Sequence, residues 1–518
     1  MSDPHVIVVG GGIGGLASGL ALSAAGVRVT LLERAETIGG KLHQRMVQGV
    51  GIDSGPTVFT MRWVFDGLFA QAGHRLEDEL TIRPLQILAR HAWDRSEILD
   101  LYADRHQSAL AVARFAGAKE AAGFLEFCEQ ASAAYRALEK AAIRSQRPTL
   151  FSMHQDLGLR GFAALWGVGP FQNLWQSLSR YFKDPRLHQL FSRYATYCGS
   201  SPLQAPATLM LIADVEMQGV WAIEGGMTAL AQTLEKLLKR HGAEVRTRAD
   251  VAAILMRDGR ACGVRLHDGE TLTADAVVFN GDVAALRQGA VALSDPDAAR
   301  KAFGPPRDDL RQRSLSALTL SIHARTTGFP LTYHNLFFPR DYAPEFEAIF
   351  NRQQLPNTPT VYVCAQDRQD DQAFSGQAER LLLLINAPAS GDRHAFNTSE
   401  THACIDAATS LMNRCGLTLH NDPESTVITT PTSFHQRFPA TGGALYGPAT
   451  HGWMSVFSRH GASSPIPGLY LAGGSVHPGP GVPMAALSGR LAAATLMGHL
   501  GLIRQSGRVV ISGGMSMH

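Results

Sequence analysis

Apolar positions along the chain fall into runs whose period changes, and the changes mark the elements. Val6-Ile7-Val8-Val9 is a continuous β-branched run, the pattern of a strand buried on both faces. Gly10, Gly12 and Gly15 follow in G-x-G-x-x-G spacing, and Leu16 to Ala25 reads as a helix. Gly26 ends that helix, Val27 to Leu32 forms a second strand, and Glu33 stands at its tip. The glycines allow a tight turn, close approach of the backbone to a pyrophosphate, and close helix–strand packing. The helix N-terminus offers free N–H groups and partial positive charge to phosphates, and Glu33 can accept from a ribose diol. Together these features predict a dinucleotide site, with NAD and FAD both open at this point.

Further on, the paired glycines of Gly39-Gly40-Lys41 predict a turn beneath the cofactor, with Lys41 able to reach it, and Asp53-Ser54-Gly55-Pro56-Thr57 follows. Residues 62–145 read mostly as helices, with a strand or two around 81–101. Residues 157–200 interleave Trp166, Phe171, Trp175, Tyr181, Phe182, Phe191, Tyr194 and Tyr197 with Arg160, Arg180, Lys183, Arg186 and Arg193. That mixture suits a membrane-surface face, the lining of an apolar tunnel, or a packed helical subdomain with a solvated basic side. From Gly219 the pattern predicts a helix through Arg240 and strands at 242–246, 251–255, 262–266, 271–273 and 276–279. These return the chain to a parallel sheet. Residues 315–325, 359–365 and 381–385 predict a second, largely antiparallel sheet. The chain closes with a strand, a Gly-rich loop through Gly474, His477 and Gly481 to Met484, and a helix from Ala485 to about Gly498; the tail after Arg504 is expected to be flexible.

Length changes this picture by excluding a single core: 518 residues require two or three domains. A formal charge of +2 gives no reason to propose nucleic acid as a partner. The six cysteines are widely spaced with no C-x-x-C, which argues against a disulfide framework, a zinc site or an iron–sulfur cluster. MSDPHVIVV lacks a basic segment with a cleavage site, so a reducing cytoplasm is expected. Ala195–Ala213 and Leu469–Gly489 are uncharged, yet their Gly and Pro content rules out a spanning helix.

The opening unit with Glu33 and Gly39-Gly40-Lys41, Glu224-Gly225-Gly226-Met227, and the closing LYLAGGSVHPGPGVPM together resemble the phytoene-desaturase-type carotenoid desaturases. These are FAD enzymes of the amine-oxidase-like superfamily, and the resemblance covers nearly the whole chain. GPTVFTMRWVFDGLF, RYATYCG, GVWAIEGGM, VFNGD, FPATGGALYG and GPGVPMAALSG look most like the 1-hydroxycarotenoid 3,4-desaturases. The closing loop reads GPGVPM where plain phytoene desaturases have G-G-G-x-P-G, which turns the expectation away from phytoene.

The resemblance implies an α/β fold: a Rossmann-type FAD-binding domain with a parallel sheet, a mixed or antiparallel substrate domain, and a helical membrane-facing subdomain. The expected segments are 1–80, 219–300 and 465–503 for FAD binding, 81–218 for the helical region, 301–464 for the substrate sheet and 504–518 for the tail. It places Gly10, Gly12 and Gly15 on the pyrophosphate, Glu33 on the adenosine ribose, and Gly40 and Lys41 beneath the cofactor. Pro56 and Thr57 would line the flavin pocket, Val251 would meet the adenine through its backbone, and Asn280 would lie near the same half. Gly474, Gly481, Val482 and Met484 would surround the ribityl chain and isoalloxazine.

The implied reaction removes two hydrogens from a C–C bond beside a polyene, with hydride passing to flavin N5. Delocalisation of the allylic cation makes a strong side-chain base unnecessary. His477 is a candidate proton acceptor through water, set against a plain hydrogen-bonded loop histidine. Expected partners are an acyclic hydroxycarotenoid, a membrane surface on the cytoplasmic side, and an electron acceptor such as quinone or oxygen. The rivals are an amine oxidase, a carotenoid ketolase, a phytoene-type desaturase, and a non-catalytic prenyl-binding escort protein.

Overall fold

The computed structural model describes residues 3–146, 161, 166–169, 171–306, 310–369, 376–452, 454–455 and 458–502. A five-stranded parallel sheet runs in the order Leu469–Leu471, Ala276–Phe279, His5–Val9, Arg28–Leu32, Glu244–Arg246. Its β-branched runs alternate sides, as strand geometry requires. Val6 and Val8 face the helices Ile13–Ser23, Met227–Arg240 and Val482–His499. Ile7 and Val9 face a four-stranded sheet built from Val251–Arg257, Arg260–Leu266, Thr271–Thr273 and Ala292–Leu293. Both faces of the parallel sheet are therefore covered, which is why its strands read as unbroken apolar runs.

Two expectations change here. Only Glu244–Arg246 and Ala276–Phe279 return to the parallel sheet; the strands between them pair antiparallel in the smaller one. The closing helix starts at Val482, so Val482 and Met484 belong to its first turn and not to the loop.

The large sheet runs Thr418–His420, Ser316–Thr327, Glu379–Ala387, Val361–Ala365, His334–Phe337, Ile87–Asp94, Glu97–Tyr102. Its last two strands are the pair expected around 81–101, and His334–Phe337 pairs parallel with Ile87–Asp94. One face packs on the helix Thr398–Arg414. The other packs on a helical layer that includes Arg105–Ala116, Ala118–Leu138 and Pro185–Ser192.

For most of the described residues of 157–200, that helical layer fits the packed-subdomain alternative. Phe182 and Phe191 stack at 4.6 Å, and Phe127, Tyr181 and Tyr194 join them in a buried aromatic core. Arg186 is paired with Asp184 and Glu97, and Arg193 is buried. Only Trp166 (69% exposed) and Phe171 (70%) of the named aromatics stand well out of the surface. The aromatic period was mostly core packing, which sequence spacing alone does not separate from an outward face. Arg160 and the tail after Arg504 lie outside the described residues. Among the described residues, no helix is long and apolar enough to cross a membrane.

Candidate cofactor and substrate site

The opening glycine turn packs too tightly for side chains. A methyl group on Gly15 would lie 2.0 Å from the Gly10 carbonyl oxygen. The helix Ile13–Ser23 begins at Gly12 with no side-chain cap, so its first N–H groups are left to other partners. Glu33 is buried at the strand tip; it accepts from the Gly11 N–H at 2.7 Å and from the Ala35 N–H at 2.8 Å. Its carboxylate thus fixes the turn. Backbone bonds from Arg248 to the Ala35 carbonyl and from Ala249 to the Glu33 carbonyl strap the start of Val251–Arg257 beside this tip, which brings Val251 alongside.

Gly39 donates to the Gly11 carbonyl at 2.8 Å, so the paired glycines lie directly against the first turn. Lys41 is not a solvated surface lysine. It is half-buried, donates to the Leu445 carbonyl, and lies 5.4 Å over the Phe438 ring. Burial lowers its pKa, opposed by the Asp282 carboxylate.

Asn280 commits its amide to the protein. It donates to the Gly10 carbonyl at 3.0 Å, and its oxygen abuts the Cα positions of Gly14 and Gly473. Gly474, in the closing loop, accepts from Arg459 at 3.0 Å. Arg459 is buried among backbone carbonyls, Pro448 at 2.9 Å included. Gly481 is the N-cap of the closing helix, again with no side-chain cap.

The third helix N-terminus in the region differs. Asp53 accepts from Thr228 N at 3.3 Å and Oγ1 at 2.5 Å, which closes the start of Met227–Arg240. Of these three convergent N-termini, the two that border the glycine turn and the closing loop are uncapped. A glycine turn with no room for side chains, an acid at the strand tip and two open helix starts fit a dinucleotide-containing flavin.

His477 is 3% exposed, and its Nε2–H donates to the Ala142 carbonyl at 3.0 Å. Burial lowers its pKa to about 4. It is a buried loop histidine that holds the closing loop to the end of the helical layer through Nε2, while its Nδ1 has no hydrogen-bond partner among the described residues. Pro56 is exposed, while Thr57 is buried with its Oγ1 2.5 Å from the Tyr362 hydroxyl.

From Tyr362 the polar chain continues to His334 Nδ1 at 2.7 Å. Across the same sheet face lie Arg193 and Glu216 of the helical layer; Glu216 accepts from both Tyr194 and Tyr197. Sequence reasoning missed Tyr362, His334, Glu216 and the buried role of Arg193. A polar His334-Asn335 start to a strand that runs on into Leu336 and Phe337 is the signal that points there.

The model for flavin containing amine oxidoreductases matches residues 13–497. The chain is 58% identical to a hydroxyneurosporene desaturase of Rubrivivax gelatinosus, across 100% of this chain and 98% of that one. It is 42% identical to a protein of the same name from Cereibacter sphaeroides, across 96% and 98%. Among solved structures, an oxidoreductase from Methanosarcina mazei superposes with TM-score 0.58 at 16% identity, covering 95% of this chain and 99% of that one, and so shares the fold. A flavin carried on a dinucleotide-binding βαβ unit is FAD, and the chain belongs to the flavin-containing amine oxidoreductase family.

Proposed function

We propose that this protein desaturates the C3–C4 bond of an acyclic 1-hydroxycarotenoid, such as 1-hydroxyneurosporene or 1-hydroxylycopene. The observation that carries the reading is the 58% identity, spread over the full length of both chains, to a hydroxyneurosporene desaturase. Bound FAD supplies the two-electron acceptor. One hydrogen leaves the substrate with its bonding pair and one as a proton, and the new double bond extends the polyene. The positive charge developed next to a polyene is delocalised, so the chain supplies orientation and dryness instead of a strong base.

In this reading Gly10, Gly12, Gly15 and the open start of Ile13–Ser23 hold the pyrophosphate, and Glu33 holds the ribose. Val251 lies by the adenine, while Gly40, Pro56, Thr57, Gly474, Gly481, Val482 and Met484 surround the flavin half. Lys41 and Asn280 act from behind, as a fixed charge and as a brace on the glycine turn. Segments 1–80, 219–300 and 465–503 form the FAD-binding part, and 301–464 with the strands 87–102 forms the substrate part. The protein docks peripherally on the cytoplasmic face of the membrane that stores its substrate, and quinone or oxygen takes the electrons onward. The exposed pair Trp166 and Phe171, 6.3 Å apart edge to face, supports that docking.

The test is reconstitution of FAD-loaded protein with 1-hydroxyneurosporene in liposomes containing a quinone. The expected product is two mass units lighter and red-shifted. An oxygenated product, or no product with any acyclic hydroxycarotenoid, would overturn the reading.

A further inference from the structure

Resting on that substrate reading, we propose that Arg193 and His334 together recognise the substrate's tertiary hydroxyl. An Arg193 N–H donates to the hydroxyl oxygen, and His334 Nε2 accepts the hydroxyl proton.

Both side chains hold unspent hydrogen-bonding capacity in a dry place. Buried polar atoms nearly always find partners, because an unsatisfied one costs roughly 1–3 kcal/mol. Arg193 is 4% exposed and His334 is 2% exposed. Arg193 Nη1 donates to the Tyr197 hydroxyl at 3.0 Å, and Nη2 forms an ion pair with Glu216 at 3.5 Å. Yet Nε and Nη2 both lack a hydrogen-bond partner among the described residues, as does His334 Nε2. Glu216 balances the charge, but its two oxygens are already taken by Tyr194 and Tyr197. The cation is neutralised while its Nε and Nη2 donors remain open.

The histidine is set up to match. Its Nδ1 meets the Tyr362 hydroxyl, which in turn meets Thr57 Oγ1. In the tautomer that the proposal uses, Nδ1–H donates to Tyr362 and Tyr362 to Thr57, which leaves Nε2 as a bare acceptor. This chain of hydroxyls ties the recognition point to Thr57, in the segment that follows Gly55 at the proposed flavin pocket.

The two groups also face one sheet–helix interface. The pairing of Leu336 with His91 puts His334 and His91 on the sheet face that meets the helical layer, where Arg193 lies. Besides burial, the charge of Arg193 is what depresses both histidines, with His334 brought to about 3. His334 is therefore neutral at any working pH. An alcohol can accept from Arg193 and donate to His334 at once; a methyl group in its place can do neither, and a methoxy group can only accept.

The experiment measures dissociation constants of FAD-loaded protein for 1-hydroxyneurosporene and for neurosporene, which lacks the hydroxyl, in detergent micelles. Wild type should prefer the hydroxylated polyene by about 10- to 100-fold. His334→Leu should abolish that preference while binding of neurosporene holds or improves, and His334→Gln should restore part of it. Arg193→Lys, which keeps the charge beside Glu216 but removes Nε–H, should reduce the preference in the same direction and covers the case of a poorly folded leucine variant. Equal loss for both polyenes, or an unchanged preference in both variants, would overturn the proposal. A wild type that binds hydroxycarotenoids but does not desaturate them would count against the proposed reaction alone.

Discussion

The side-chain amide of Asn280 donates to the Gly10 carbonyl at 3.0 Å, across 270 positions of sequence. It joins the end of one parallel strand to the glycine turn after its neighbour, with the Gly473 loop on its other side. Asn280→Ala leaves the Gly10 carbonyl without this donor. The expected result is a roughly tenfold weaker grip on FAD, about 1.4 kcal/mol, read by titrating apoprotein with the cofactor. Asn280→Asp should be worse, since it sets a carboxylate against a carbonyl and near the pyrophosphate.

Gly15→Ala places a methyl 2.0 Å from the Gly10 oxygen, where only backbone could yield. Loss of flavin absorbance is expected, with a lowered melting temperature. A yellow, fully loaded G15A protein would show that the turn is looser than its geometry.

Asp53 spans two halves of the molecule: it caps Met227–Arg240 through Thr228, while its backbone N–H and C=O pair with the Gln366 amide of the large-sheet region. Asp53→Ala removes the cap and should cost about 1–2 kcal/mol. Differential scanning fluorimetry should show a lower melting temperature, with flavin released in the same transition.

Glu345 is fully buried, accepting from Thr360 N–H at 3.1 Å, Thr360 Oγ1 at 2.6 Å and Asn386 at 2.8 Å. Burial raises its pKa from 4.5 to about 7 in spite of those donors. A raised folded pKa means that its stability contribution is whole below the unfolded value and is lost as pH climbs through the folded one. The loss totals about 3 kcal/mol. Glu345→Gln should therefore gain on wild type steadily between pH 4.5 and 8 in urea unfolding. A constant difference across that range would refute a titrating Glu345.

Replacing both Trp166 and Phe171 by Glu removes the exposed aromatic pair while leaving the buried core untouched. Flotation with anionic liposomes should fall several-fold, whereas turnover in detergent should hold. Unchanged flotation would place the docking surface elsewhere.

The dinucleotide unit was legible in the sequence because everything that defines it is local. A buried parallel strand, a glycine turn, a helix and a strand-tip acid occupy residues 5–33, and each imposes its own period or backbone need. The closing strand–loop–helix was legible for the same reason, although its helix starts at Val482, because Pro483 fits the first turn. The tertiary structure decided what depends on contacts hundreds of residues apart. It turned most of the aromatic, basic stretch at 157–200 inward, committed His477 to the Ala142 carbonyl, and placed Asn280 behind the glycine turn. It also set Arg193 and His334, 141 positions apart (334 − 193), on either side of one dry layer between sheet and helices. A residue's period states which face of its own element it occupies, but whether that face meets solvent, core or substrate is fixed only when another element packs against it.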